Sequence, residues 1–565
     1  THPPPRKGFF MSDFTFLTGD KNWWRQAVVY QIYPRSFADL NGDGIGDLAG
    51  MIDRVPYLKS LSIDAVWLSP FYPSELADGG YDVADYRNVD PRIGTLEEFD
   101  KLIEELHKVG IRVFVDIVPN HSSDQHEWFQ AALKAGRGSK ERDRYIFHDG
   151  LGENGDIRPS ELISHFGPTG WTRITEPDGT PGQWYLHLFA PEQPDFNWDN
   201  QEVRDDFIKT LRFWSDRGVD GFRIDVAHAL TKDFSDGLPA RDTMDIDPKK
   251  PDGSDPLFDR DEVHEIYREW RKVFNEYEPP RVAVAEASAP AHRLGAYASE
   301  ETLGQAFNFD LLHADWNTKR FKHLISNSMK RAEKSGSSNT WVLSNHDVVR
   351  HPTRYGLPDK TDLVKWYISE GKSAPLDQKQ GIDRARASTM LILALPGSTY
   401  LYQGEEIGLF EVADTPREAM QDPQWFRNPG KARSRDGCRI PLPWATSQTA
   451  LGGTSFGFGP GGSHLPMPAN FGIYSVEANE SDPNSVLNLY RSAIAMRKAL
   501  QCAEEIKFIF NWNRSVLHFA RPNGWQSFTN FGKQSVKLPK GKVLLSSKPL
   551  IDNQVPGETT VWLQA

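Results

Sequence analysis

Two spacings of apolar residues alternate along this chain. From about Trp23 onward, short unbroken apolar runs are separated by stretches in which apolar side chains recur every three to four positions. Unbroken runs of this length read as strands buried on both faces, the pattern of a parallel sheet, and the longer period reads as amphipathic helix. The runs fall at residues 27–34, 65–70, 111–119, 221–226, 282–287, 306–310, 340–347 and 399–404. One intervening helix opens on Thr95-Leu96-Glu97-Glu98, a capping box, and carries Phe99, Leu102, Ile103 and Leu106 on one face. Strands alternating with helices in this way predict an α/β fold, a (β/α)8 TIM barrel whose chemistry sits at the C-terminal ends of the strands. A doubly wound sheet is the alternative, but it would rarely place acids on so many strand ends.

The alternation lapses twice. Between Asn120 and Asn197 the chain is rich in Gly, Pro and charge, with short β-like pieces such as 183–189, which predicts a small domain inserted after the third strand at 122–191. Residues 409–474, after the eighth strand, are dense in Gly and Pro; loops of that length in a compact protein are usually functional. A strong helical pattern at 485–499 closes the barrel region, set at 23–121 and 192–502. Short β runs at 506–511, 515–520, 526–530, 542–546 and 559–563 then predict a C-terminal β-sandwich over 503–565. Residues 1–22 read as a flexible lead or tag remnant without a signal-peptide core, with Met11 as a candidate start.

Composition narrows the function classes. A chain of 565 residues predicts two to four domains. A net charge of −12 argues against nucleic acid and anionic membranes as partners. The two cysteines, Cys438 and Cys502, predict no disulfide framework and fit a reducing, cytoplasmic setting. No apolar run is long enough to span a membrane. The 17 Trp suit surfaces that stack on sugars, or simply a large core. A monomer and a homodimer both remain open.

The candidate chemistry lies where apolar runs meet an abrupt charge: Asp225 in GFRID, Glu286 in VAVAE and Asp347 in LSNHD. A charge at the end of a buried strand costs free energy unless it is paired or used, so three such ends predict carboxylates pooled in one pocket. Together with Asp116-Ile117-Val118-Pro119-Asn120-His121 these segments resemble, in order, the four signature regions of the α-amylase family of glycoside hydrolases. Gln193-Pro194-Asp195-Phe196-Asn197 resembles the fifth region of its oligo-1,6-glucosidase and α-glucosidase branch. The resemblance spans roughly Trp23 to the C-terminus. It implies a barrel with an inserted domain and a C-terminal sandwich, with Asp225 as nucleophile, Glu286 as general acid and Asp347 as the acid that stabilises the transition state. Retaining hydrolysis needs two carboxyl groups ~5–5.5 Å apart, one ionised and one protonated. Arg223, two residues before Asp225 on the same face, is expected to keep Asp225 ionised, and desolvation to raise Glu286. His121 and His346 are implied to bind the sugar; Asp116 and Asn120 are expected to support the loop.

Further residues refine the substrate. Asp78-Gly79-Gly80-Tyr81-Asp82 resembles a motif in which Tyr81 stacks on the terminal glucose and Asp78 binds its hydroxyls with an arginine; the matching arginine is Arg439 in Arg435-Asp436-Gly437-Cys438-Arg439. That clamp implies exo-action on malto- or isomalto-oligosaccharides, with transglucosylation as a side activity. Phe166 is a candidate for the pocket mouth. Val226, directly after Asp225, resembles enzymes that favour α-1,6 bonds, whereas Glu286-Ala287-Ser288-Ala289 departs from that pattern. Asp39, Asn41, Asp43, the Ile45 carbonyl and Asp47 alternate as in an EF-hand loop, although position twelve is Gly50 rather than Glu. The resemblance implies one structural Ca2+, or Mg2+, at this loop. Rival readings are a sucrose- or trehalose-active relative, disfavoured for sucrose isomerases by the Val349-Arg350-His351 segment, and a catalytically silent binding relative, which would have lost these acids.

Overall fold

A computed structural model describes residues 20–565; the expected N-terminal lead falls mostly outside the described residues. Eight strands form one parallel sheet: β1 (Val28–Ile32), β2 (Ala65–Leu68), β3 (Arg112–Ile117), β4 (Gly221–Ile224), β5 (Val282–Ala285), β6 (Gly304–Ala306), β7 (Thr340–Val342) and β8 (Ser398–Tyr402). Their hydrogen-bonded order, β7-β8-β1-β2-β3-β4-β5-β6, follows the chain around a barrel. A single parallel bridge between Asn308 and Trp341 spans the seam from β6 to β7. Every residue of these strands is buried, as a sheet covered on both faces requires.

The expected helix after β2 runs Leu96–Lys108, with Thr95 and Glu98 making both capping-box bonds and Phe99, Leu102, Ile103 and Leu106 buried. Two strands differ from expectation: the run at 306–310 is found as Gly304–Ala306, and the run at 340–347 is shorter. The run at 340–347 leaves the sheet after Val342, because the Asn345 side chain accepts from the Asp347 amide (2.8 Å) and turns the chain. Asp347 therefore sits on a loop, not at a strand end.

Between β3 and β4 lie a helix (Glu127–Ala135) and a three-stranded antiparallel sheet with Pro181–Leu186 between Phe147–His148 and Trp171–Thr175. The insertion is tied to the barrel through Asp195, which accepts from the Leu188 amide (3.0 Å) and meets the buried ammonium of Lys232 (3.0 Å), itself donating to Asn120 Oδ1 (3.0 Å). Beyond the helix Val486–Leu500, five antiparallel strands form a C-terminal sheet in the order Lys507–Phe508, Val516–Ala520, Trp525–Asn530, Thr559–Gln564, Lys542–Ser546, joined by a ribbon of Val536–Lys537 and Gln554–Val555. This sheet docks on the helix Gln378–Ala394, with Trp562 Nε1 donating to Met390 O (3.0 Å).

Candidate active site

Strand register brings the first two acids together. Phe114 faces Gly221 and Ile117 faces Ile224 across β3 and β4, and Ile224 faces Ala285 across β4 and β5. Asp225 and Glu286 are thus each the first residue past neighbouring strands, at one level. The Asp225 amide donates to Ile117 O (2.9 Å) and the Glu286 amide to Ile224 O (2.9 Å). Gly221 fits this register because a Cβ there would lie 2.4 Å from the Phe114 ring.

Arg223 lies beneath both acids. Its Nη1 donates to Asp225 Oδ1 (2.7 Å) and Asp116 Oδ1 (3.0 Å), and its Nη2 meets Glu286 Oε2 (2.6 Å). Arg223, expected to hold Asp225 ionised, divides its one guanidinium among three carboxyl groups. Burial, with the added charge of Glu286 and Asp116, pushes the Asp225 carboxyl up against the pull of Arg223. Asp116 is likewise pushed up to about 7 by burial. Asp225 and Glu286 share the Arg223 guanidinium, so protons in this cluster belong to the group and not to one residue. The Glu286 side chain is 23% exposed and that of Asp225 9%, so Glu286 is the more open of the two.

Asp347 has different company. Burial alone would raise it, but Arg435 Nη1 (3.3 Å) and Arg439 Nη2 (2.9 Å) hold its carboxyl well below the usual range. Burial pushes the adjacent His346 down to about 3, so at neutral pH the arginines supply that attraction. Gln31 Nε2 donates to His346 Nδ1 (2.7 Å), which places the ring proton on Nε2, facing the Tyr81 hydroxyl (2.7 Å); that hydroxyl donates to Asp116 Oδ2 (3.1 Å). His121, pushed down to about 4 by burial, is also a neutral ring, with Asn120 Nδ2 donating to its Nδ1 (3.1 Å). Asp116 and Asn120 thus support the site, as expected.

The Asp78 clamp needs a correction. The arginine that meets Asp78 is Arg435, whose Nη2 donates to Asp78 Oδ1 (2.7 Å); Arg439 instead donates from Nε to His346 O (2.8 Å) and pairs with Asp347. The 3₁₀ turn Asp436–Cys438 brings both arginines to the pocket, and Asp422 anchors Arg435 (2.7 Å) so that it reaches Asp78. Gly79, with φ +60°, leaves room for this: a Cβ would lie 2.8 Å from the Tyr33 hydroxyl and 3.1 Å from Arg439 Nη1. Burial pushes the Asp78 carboxyl up and the two arginines oppose it.

A cavity of about 280 Å³ is lined by Asp78, Tyr81, His121, Phe166, Asp225, Glu286, His346 and Asp347. All eight are sequence-predicted site residues; Arg223 and Arg439 touch them from outside the lining. Sequence reasoning missed His165, Phe189, Ile246, Gln424, Arg433 and Arg435 in the same wall. The length of the segment 409–474 was the available signal for Gln424, Arg433 and Arg435. Phe166 lines the cavity and lies under the Arg435 guanidinium (5.0 Å).

The loop of Asp39, Asn41, Asp43, Ile45 and Asp47 lies apart from this cavity lining. Asp39 accepts from the Gly42 and Gly44 amides (2.7 and 2.8 Å), Asn41 from Asp43 (2.9 Å), Asp43 from Ile45 (2.9 Å), and Asp47 from Leu40, Asn41 and Gly50. Among the described residues no group of three His, Cys, Asp or Glu side chains is gathered as a metal centre would require. The three carboxylates also have no ion-pair partner among the described residues, and Asp39 and Asp47 are pushed up by burial. That donor set is all oxygen, the type a hard cation takes, and its carboxylates are met by backbone amides only.

An acid cluster at the strand ends of a parallel barrel, beside a small polar pocket, defines a glycosidase-like TIM-barrel enzyme. Residues 31–505 match the α-amylase catalytic-domain family. A probable α-glucosidase of Rhizobium meliloti (strain 1021) is 35% identical over 90% of this chain and 89% of its own length. An oligo-1,6-glucosidase of Parageobacillus thermoglucosidasius is 34% identical over 85% and 84%. The crystal structure of the α-glucosyl transfer enzyme XgtA superposes with a TM-score of 0.79 at 32% identity, covering 96% of this chain and 99% of that one. The chain belongs to the α-amylase family, and it is a glycoside hydrolase of the α-glucosidase kind. No helix of the described residues is long and apolar enough to cross a membrane.

Proposed function

We propose that this enzyme is a retaining, exo-acting α-glucosidase that removes one glucosyl unit from the non-reducing end of short malto- or isomalto-oligosaccharides. The observation that carries the reading is Arg435 joined to both Asp78 and Asp347 within the cavity that also holds Asp225 and Glu286. Carboxylates fixed by arginines at one end suit the hydroxyls of a terminal sugar, and a cavity near 280 Å³ suits one such unit better than a chain passing through.

In this mechanism Glu286, the more open acid, gives its proton to the glycosidic oxygen while Asp225 attacks the anomeric carbon. The C1–O bond to the leaving group breaks and a β-glucosyl ester forms on Asp225. Glu286 then takes a proton from water as the water oxygen bonds to C1, and Asp225 leaves as a carboxylate. Two inversions give retention. Asp225 and Glu286 bonded to one guanidinium support this course over inversion, which needs ~6.5–9.5 Å between carboxyl groups to seat a water. Asp347, anionic between two arginines, accepts hydrogen bonds from sugar hydroxyls, and the neutral rings of His121 and His346 line the pocket beside it. A sugar hydroxyl in place of water gives transglucosylation.

The 39–47 loop is proposed to hold one Ca2+ through the Asp39, Asn41, Asp43 and Asp47 side chains and the Ile45 carbonyl, stiffening the turn after β1. Chelation is expected to lower the melting temperature without changing KM, and Asp39→Asn to abolish that response; a melting temperature indifferent to chelator and to added Ca2+ contradicts the site. Two free cysteines, Cys438 and Cys502, suit the proposed cytoplasmic setting. Product analysis on maltose, isomaltose, sucrose and trehalose side by side tests the main reading: glucose from maltose or isomaltose is expected, and glucose from none of the four contradicts it.

A further inference from the structure

The segment between β4 and the helix Val263–Phe274 reaches the cavity at Ile246 and forms a strap fixed at two histidines. His228 Nε2 meets Ile246 O (2.8 Å), and the Ser288 amide donates to His228 Nδ1 (3.3 Å). An amide on Nδ1 puts the ring proton on Nε2, which donates to the Ile246 carbonyl. Burial keeps this ring neutral. His165 Nδ1 donates to Met244 O (2.6 Å), and Ile163 and Arg241 exchange a further backbone bond with the insertion (2.9 Å). Ile246 is half-buried, packs against the cluster that includes Val226 and Phe166, and lines the cavity.

The position of Ile246 relative to the acid gives it meaning. The Val226 amide donates to Glu286 Oε2 (3.2 Å), and Ser288, two residues past Glu286, ties to the histidine that holds Ile246. Val226 and Ile246 therefore stand on the Glu286 side of the cavity. A general acid must reach the leaving-group oxygen, so this side faces the aglycone. We infer that Ile246 is a specificity-determining residue that, with Val226, forms an aliphatic wall of the aglycone subsite and favours α-glucosides of apolar alcohols as donors and such alcohols as acceptors. Transfer balances without a further reagent: the alcohol oxygen bonds to C1, its proton passes to the Glu286 carboxylate, and the ester bond to Asp225 breaks to release the carboxylate.

This inference rests on the retaining reading above, and its test separates the two. Methyl and hexyl α-glucoside have alkoxide leaving groups of similar intrinsic reactivity and differ in apolar length. The wild-type kcat/KM is expected to rise from methyl to hexyl by about tenfold or more, the scale on which an apolar subsite discriminates added methylenes. Ile246→Asn and Ile246→Ser are expected to reduce that ratio to about twofold or less while the melting temperature stays near wild type. A flat wild-type ratio, or a ratio that survives in both folded variants, overturns the role of Ile246. Absence of turnover on both glucosides and on maltose overturns the α-glucosidase reading itself.

Discussion

At Arg223 one guanidinium meets Asp116, Asp225 and Glu286, leaving more negative than positive charge in a buried site. The Asp116 carboxylate is one of the charges that push Asp225 up. Removing it by Asp116→Asn is expected to lower the proton affinity of the remaining pair, so the alkaline limb of the kcat/KM profile shifts to lower pH by about one unit. An unmoved or higher limb contradicts the shared cluster. The acid limb is not expected to report His121 or His346, since burial pushes them down to about 4 and about 3. Residue identity was legible in the sequence; residue pairing was less so. An acid at the end of an apolar run is visible as text, but Arg435 and Arg439 are both arginines four apart. Only the 3₁₀ turn and the Asp422 anchor decide which reaches Asp78.

Elements were readable where their period was strong. The capping box and four apolar positions of Leu96–Lys108 are all present, because propensity, cap and burial agree there. The run at 340–347 was over-extended because Leu343 and Ser344 are buried like strand residues while the Asn345 turn, a side-chain bond, breaks the ladder. The inserted segment is visible only as a lapse in alternation, since its strands are short. The Lys232 tie gives its link to the barrel a measurable size. Lys232→Met leaves the Asp195 carboxylate buried without its cation, a change expected to cost about 3–5 kcal/mol. Chemical denaturation at neutral pH checks this; a loss below about 1 kcal/mol would show that the ion pair does not secure the insertion.

Across the whole molecule, the barrel supplies position and the loops supply selectivity. β4 and β5 fix Asp225 and Glu286 at one level, a consequence of strand register that no spacing along the chain reveals. The insertion brings Phe166, the strap brings Ile246, and the segment after β8 brings Arg433 and Arg435. These come from parts of the sequence far apart and without periodicity, which is why the cavity wall was less legible than the acids. The central claim is that this assembled cavity takes one terminal glucosyl unit and releases it with retention. Time-resolved proton NMR of maltotetraose hydrolysis, recorded before mutarotation, tests it most directly. The account predicts α-glucose as the first signal, with maltotriose as the other initial product; β-glucose first, or maltose as the initial product, would contradict it.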